Sequence, residues 1–230
     1  MTHPPVDWDA AYRHEAAPPW SIGRPQPELA TLIDQGKVRG DVLDAGCGHA
    51  ALSLDLAARG YTVVGLDASE TAVAAASAAA AEQGLTTATF AQADITSFGG
   101  YPPGSEGRFS TILDSGCLHS LPIEKRQDYL QSISRAASRG ASLYILAFAA
   151  EAFGDEEAAD RPGPRGLTEA ELRTEVSTLW EVDDIRPAKV YGNDSPPLDP
   201  SQGHFANLDH DNEGHFVVPG LLLSAHNSIS

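Results

Sequence analysis

Asp44, Asp67, Asp94 and Asp114 each close a short apolar run, in "VLD", "VVGLD", "FAQAD" and "TILD". Carboxylates so placed accept hydrogen bonds and neutralise cations, and they repel phosphate. Between the first two lies Gly46-x-Gly48-x-x-Ala51, with Asp67 nineteen residues after Gly48. Glycines there let a backbone approach a ligand closely, and an acid at that distance suits the paired hydroxyls of a ribose. The spacing satisfies a loose dinucleotide fingerprint. Asp44, however, stands two residues before the first glycine, where a pyrophosphate would lie. A ligand carrying an ammonium and a sulfonium suits that carboxylate better.

S-adenosylmethionine, leaving as S-adenosylhomocysteine, is therefore the expected cofactor. A dinucleotide-dependent oxidoreductase is the alternative that Asp44 disfavours. Asp44 is expected to pair with the ammonium, directly or through water, while Gly46, Cys47 and Gly48 form the turn. Asp67, with Ala68 beside it, is placed to clamp the ribose. Asp94 is placed to accept from the adenine amino group, with Ile95 packed on the ring. Trp8, Tyr12 and Trp20 precede the first strand, and their faces suit adenine or a sulfonium. Trp20, in a rigid "PPW" context, also suits the acceptor pocket, whereas Arg24 is either a partner for the methionine carboxylate or solvated.

The stretch "DSGCLHSLP" sets Asp114, a further candidate cofactor contact, and Ser115 at a strand end and His119 just beyond. Methyl transfer is an in-line displacement in which alignment supplies much of the catalysis, but a hydroxyl acceptor must lose its proton. His119 is the candidate base and a wall of the acceptor pocket, with Asp114 as its orienting acid. Phe148, ending another apolar run, joins the substrate side. The polar segment 192–215 adds His204 and Phe205 as substrate contacts. Its His210, Asp211 and His215 lack tight ligand spacing on one element, so no metal is expected. An Asn/Asp-Pro-Pro-aromatic motif is missing after the fourth strand, which argues against adenine or glutamine amino groups as acceptors.

Strands alternating with helices must position these groups. "PELATLIDQGK" carries a helix start at Pro27 and a stop at Gly36. "DVLDAG", "YTVVGLD", "TTATFAQAD", "FSTILDS" and "ASLYILAFA" read as five strands. "AALSLDLAAR", "SETAVAAASAAAAEQG" and "IEKRQDYLQSISRAASRG" read as the helices between them. Thr168 and Glu171 have capping-box spacing at the start of a further helix. "WEVDDIRPAKVYG" and "FVVPGLLLSAHN" supply a sixth and a seventh strand. The pattern predicts an α/β, Rossmann-like, doubly wound parallel sheet with ligands beyond the carboxyl ends of its strands. One domain is expected over 1–230: an aromatic lid and helix (1–38), a cofactor core (39–150) and substrate-side elements with the last strands (151–230).

Composition agrees with a globular enzyme, 42% apolar and 20% charged. A formal net charge of −17 repels phosphate backbones and anionic membrane surfaces, so neither nucleic acid nor membrane is an expected partner. No run of 18 apolar residues exists, and the N-terminus lacks signal-peptide character, so a cytoplasmic location is expected. With two cysteines, Cys47 and Cys117, a disulfide framework is excluded. Sequence leaves monomer and homodimer both open.

"VLDAGCGHA", "VVGLD", "QADI" and "TILDSGCL" resemble successive motifs of the class I, Rossmann-like methyltransferases, with Ala50 where that family commonly has a third glycine. "WDAAYRHEAAPPWSIGRPQPEL" resembles the lead-in of the thiopurine and halide/thiol branch, where an aromatic segment covers the cofactor. Through "PPWSIGRPQPELA", "GLTTATFAQADITSF" and "RFSTILDS" nearly the whole chain is similar to mycobacterial heterocyclic toxin methyltransferases. That resemblance implies Ser115 beside the methionine portion of the cofactor. It also implies a detoxifying enzyme acting on a hydroxyl or ring nitrogen of a small aromatic, quinolone-like or phenolic heterocycle. Methylation of halide or thiol is the alternative from the same branch.

Overall fold

A computed structural model describes residues 7–14, 17–153, 164–193 and 209–228. Its elements run α1 (Trp8–Tyr12), α2 (Pro27–Asp34), β1 (Val42–Ala45), α3 (Ala51–Ala58), β2 (Val63–Asp67), α4 (Glu70–Glu82) and β3 (Ala88–Gln92). They continue with β4 (Phe109–Ser115), α5 (Ile123–Ala136), β5 (Ala137–Phe148), α6 (Glu169–Val176), β6 (Glu181–Gly192), β7 (Asp209–His210) and β8 (Phe216–His226). The sheet order is β3-β2-β1-β4-β5-β8-β6, with β7 paired to β8.

Strand alternation divides the core into two layers. Val42 and Leu113 turn to the face covered by Leu29, Leu32 and Ile33 of α2 and by Leu52 and Leu56 of α3. Leu43 and Ile112 turn to the other face, against Tyr129, Leu130 and Ile133 of α5 and Leu172 of α6. β1 and β2 are buried along their whole length, as a parallel sheet covered on both faces requires. On α4, Ala72, Ala76 and Ala80 recur at four-residue spacing and are the buried face.

Two expectations need correction. The sheet is parallel from β1 to β5, but β8 runs antiparallel to both β5 and β6. The segment that joins β6 to β8 carries no helical pattern in sequence, and β8 returns against β6. The long helix before β5 also ends at Ala136 rather than Gly140, and β5 starts at once with Ala137 paired to Phe109.

Register brings the acids to one edge. Ala45 pairs with Leu66 and Asp114, and Asp67 pairs with Gln92. The carboxyl ends of β1, β2, β3 and β4 therefore open on the same side.

Candidate active site at the strand ends

A cleft of about 960 Å³, counting the space open to solvent, lies on that side. Gly46, Asp67, Ala68, Ile95 and Ser115 line its inner part, and Trp8, Tyr12 and Trp20 close it from above. His119, Leu121, Leu146, Phe148 and Val190 give the cleft a largely apolar wall.

The inner part is built around the glycine turn. Gly46 has φ 75° and Gly48 φ 51°, both in the left-handed region that favours glycine. The backbone N–H groups of Gly46 and Cys47 donate to Leu66 O at 2.8 and 2.9 Å, tying the turn to β2. Ala50 also has a positive φ, 62°, which identifies its place in the loop as the one where the resembling family puts its third glycine. Asp67 is 8% exposed and accepts from Gly48 N (2.8 Å) and Ser69 N (2.9 Å). Burial raises its pKa, and those two backbone bonds oppose the shift. A glycine cradle beside a carboxylate that borders a cleft fits a nucleoside with free ribose hydroxyls.

Five expected cofactor residues stand outside the lining of the cleft: Gly48, whose N–H donates to Asp67, and four whose side chains turn elsewhere. Asp44 is 1% exposed beneath the turn, where its Oδ2 accepts from Ser53 Oγ at 2.6 Å. Burial, with Asp114 and Asp67 nearby, pushes its carboxyl up to about 7. The side chain of Cys47 packs at Gly65, where an added Cβ would meet its Sγ at 2.9 Å. Asp94 is exposed, and its Oδ1 accepts from Thr96 N and Thr96 Oγ1. The fourth, Asp114, is fully buried. Its carboxylate accepts from Cys117 N (2.7 Å), Leu118 N (3.0 Å) and Tyr129 OH (2.8 Å), so it holds the turn after β4. It makes no bond to His119, and its place as orienting acid is withdrawn. Burial still pushes Asp114 up to about 6.

His119, on the single turn Leu118–Ser120, is 3% exposed and lies against Phe148 with centroids 4.3 Å apart. Its Nδ1 accepts the backbone N–H of Phe148 at 3.1 Å. Burial and then the Arg126 guanidinium push its pKa down to about 3. The ring is neutral with its hydrogen on Nε2, and its lone pair is already engaged. The expectation of a base at His119 is corrected on that ground: no free lone pair faces the cleft.

The lid is an aromatic cluster. Trp20 stands edge-on to Trp8 and Tyr12 at 5.7 and 6.1 Å, and its Nε1 donates to Tyr12 Oη at 3.1 Å. Tyr12 also lies edge-on to His49, and a Cβ on Gly48 would come within 2.5 Å of its hydroxyl. Asp9 fastens α1 to the start of α4, accepting from Ser69 Oγ (2.6 Å) and Thr71 N (3.0 Å).

His204 and Phe205 lie outside the described residues. Arg24 pairs with Glu213 at 2.6 Å and does not reach the cleft lining. Asp211, Glu213 and His215 hold donor atoms within 4.8 Å of one another, but Arg24 and the ring Nδ1 of His215, 3.1 Å from Asp211, account for them as an ion-paired turn. Gln26 and Cys117 line the cleft without having been expected there. Gln26 brackets the backbone of Tyr191, which is distant in sequence, with both ends of its amide. Cys117 offered a better signal, being adjacent to a strand end.

A methyltransferase-domain family profile matches residues 42–140. The chain is 49% identical over 225 residues to 2-heptyl-1-hydroxyquinolin-4(1H)-one methyltransferase of Mycobacteroides abscessus, covering 95% of this chain and 96% of that one. A solved structure from work on converting a disulfide bond into a thioacetal group during echinomycin biosynthesis is 29% identical. It has a TM-score of 0.78 and covers 97% of this chain and 92% of its own. A Burkholderia thailandensis 1,6-didemethyltoxoflavin-N1-methyltransferase, solved with S-adenosylhomocysteine, shares the fold at 20% identity and a TM-score of 0.60, over 96% and 79% of the two chains. Glycine turn, the acid that borders the cleft, sheet order and full-length relative agree, and the chain belongs to the S-adenosylmethionine-dependent methyltransferases of the Rossmann-like class.

Proposed function

We propose that this enzyme methylates a hydroxyl or ring nitrogen of a small aromatic heterocycle, quinolone-like or phenolic. One observation carries the reading: the cofactor turn and an aromatic, apolar chamber share a single cleft. Flat ligands are favoured by such walls, and few polar groups are left to orient them. The Mycobacteroides relative, whose name specifies an N-hydroxyquinolone, supports that substrate class.

In this reading Asp67 holds the ribose hydroxyls, and Gly46 and Ser115 border the methionine portion. Gly48 and the backbone at Cys47 shape the turn, and Asp44 stiffens it from below through Ser53. Ala68 and Ile95 flank the adenine, with Asp94 at its rim. Trp8, Tyr12 and Trp20 cover the site, and Phe148 with His119 forms the acceptor wall. Bound cofactor supplies an electrophilic methyl on a sulfonium sulfur. The residues exclude water and align the acceptor. Among the described residues, no helix is long and apolar enough to cross a membrane. A cytoplasmic detoxifying enzyme, monomeric or homodimeric, that acts on small molecules rather than nucleic acid fits the charge and the cleft.

A labelled-methyl screen tests the proposal. Hydroxyquinolones, phenols, thiols and halide ions are offered with methyl-labelled S-adenosylmethionine. Label is expected on hydroxyquinolones first, and label on halide or thiol alone would reject the heterocycle assignment.

A further inference from the structure

We propose that His119 is a hydrogen-bond donor that selects acceptors already ionised at oxygen, and that no described residue of the cleft serves as a general base. The inference rests on the heterocycle reading above and adds which protonation state the cleft takes.

The donor is fixed by its surroundings. Phe148 N donates to Nδ1, so a hydrogen on Nδ1 would set two N–H groups against each other. The remaining tautomer carries its hydrogen on Nε2. That edge of the ring lies towards Gly116, whose added Cβ would meet Cε1 at 3.3 Å and Nε2 at 3.6 Å. Gly116 and His119 both line the cleft, and among the described residues the one side-chain hydrogen bond of His119 is that through Nδ1. A ring almost wholly buried thus presents one unpaired N–H beside the apolar acceptor wall.

Among the described residues, the other titratable groups of the cleft do not offer a base. Tyr12 and Cys117 are both held protonated, their pKa values raised chiefly by burial. Each oxygen of Asp67 already accepts a backbone N–H. Asp44 and Asp114 titrate nearer neutrality, but they are sealed beneath the turns and do not border the cleft. The group charged against His119 is Arg126, which lies 2% exposed and is paired with Glu175 at 3.1 Å. It disfavours imidazolium and leaves the neutral donor in place.

An acceptor that has released its proton to solvent before binding makes the step balance. Its oxygen lone pair forms the new C–O bond, the C–S bond breaks with its electron pair left on sulfur, and anion and sulfonium become two neutral products. No proton moves in the cleft. The class selected is aromatic hydroxyls or N-hydroxyls acidic enough to ionise near neutral pH, with the anionic oxygen accepting from Nε2–H.

The test uses hydroxy-heteroaromatics with acceptor pKa from about 5 to about 10. Acceptor binding to the S-adenosylhomocysteine complex is measured by calorimetry, and kcat/KM is followed against pH. For wild type, the rise of kcat/KM with pH should track each acceptor's own pKa along the series. H119N keeps an acceptor for Phe148 N and loses Nε2–H. It should weaken binding of the ionised acceptor roughly 10- to 150-fold, with S-adenosylhomocysteine affinity within twofold, and H119Q should restore most of the loss. Unchanged acceptor binding in H119N would overturn the proposal. So would a pH limb fixed at one value across the series and abolished in H119N, which marks an enzymic base. The wild-type pH series decides this even if the variants fold poorly. Absence of transfer to every hydroxyl in wild type would instead reject the heterocycle reading itself.

Discussion

Asp67 satisfies two backbone donors of the turn and still borders the cleft. It braces the loop, and in the proposed reading it is the acid that holds the ribose. Asp67→Ala is expected to weaken S-adenosylhomocysteine binding by about 1.5–3 kcal/mol, or about 10- to 150-fold. Calorimetric affinity within twofold of wild type would remove it from the cofactor set. Its neighbours show what residue type and spacing reveal. Four acids at strand ends were legible from the apolar runs before them, yet the same pattern conceals which way each carboxylate turns. Asp114 accepts from Cys117 N, three residues on, a local capping signal that sequence contains. Its third partner, Tyr129, comes from another element and leaves no local trace. The tautomer of His119 was equally hidden, because it is set by Phe148 N across the sheet edge.

At the scale of elements, α1 is held to the cofactor side through a short chain of bonds. Asp9 accepts from Ser69 Oγ, and Ser69 N donates to Asp67. Asp67, the proposed cofactor acid, and Asp9 of the aromatic segment thus meet on one serine, which also caps α4 by accepting from Ala72 N. Asp9→Ala should speed hydrogen exchange over residues 8–12 and shrink the protection that S-adenosylhomocysteine confers there, while β1 and β2 exchange as before. Exchange in α1 equal to wild type would show the aromatic cluster alone suffices to seat the lid. Alternation of strands and helices was readable because its periods differ, 2 against 3.6. The end of α5 was not. Gly140 looks like a stop, but Ala137 already pairs with Phe109, and tertiary pairing overrides the local signal. The reversal of β8 likewise follows from a connection that carries no helical pattern.

For the whole molecule, buried titratable groups set how stability responds to pH. Asp44 and Asp114 have folded pKa values raised to about 7 and about 6. Their contribution is fully present below the unfolded carboxylate value and is lost as pH rises through about 6 to 7. His119, lowered to about 3, works the other way: its contribution is present above about 6.5 and fades as pH falls from there. Two carboxyls outweigh one imidazole, and self-repulsion at a net charge of −17 adds to the trend. The thermal midpoint should therefore rise on going from about pH 8 to about pH 5.5, and scanning calorimetry across that range checks it. A midpoint that falls over the same interval would mean that Asp44 and Asp114 are ionised in the fold. The central claim is that one cleft unites a cofactor turn with an acceptor chamber whose oriented donor is His119. A crystal structure with S-adenosylhomocysteine and a hydroxyquinolone tests it most directly. The ribose hydroxyls should lie on Asp67, and the acceptor oxygen should lie between the sulfur and Nε2 of His119, under Trp20. A heterocycle bound outside this cleft, or an acceptor oxygen turned away from both sulfur and His119, would contradict the account.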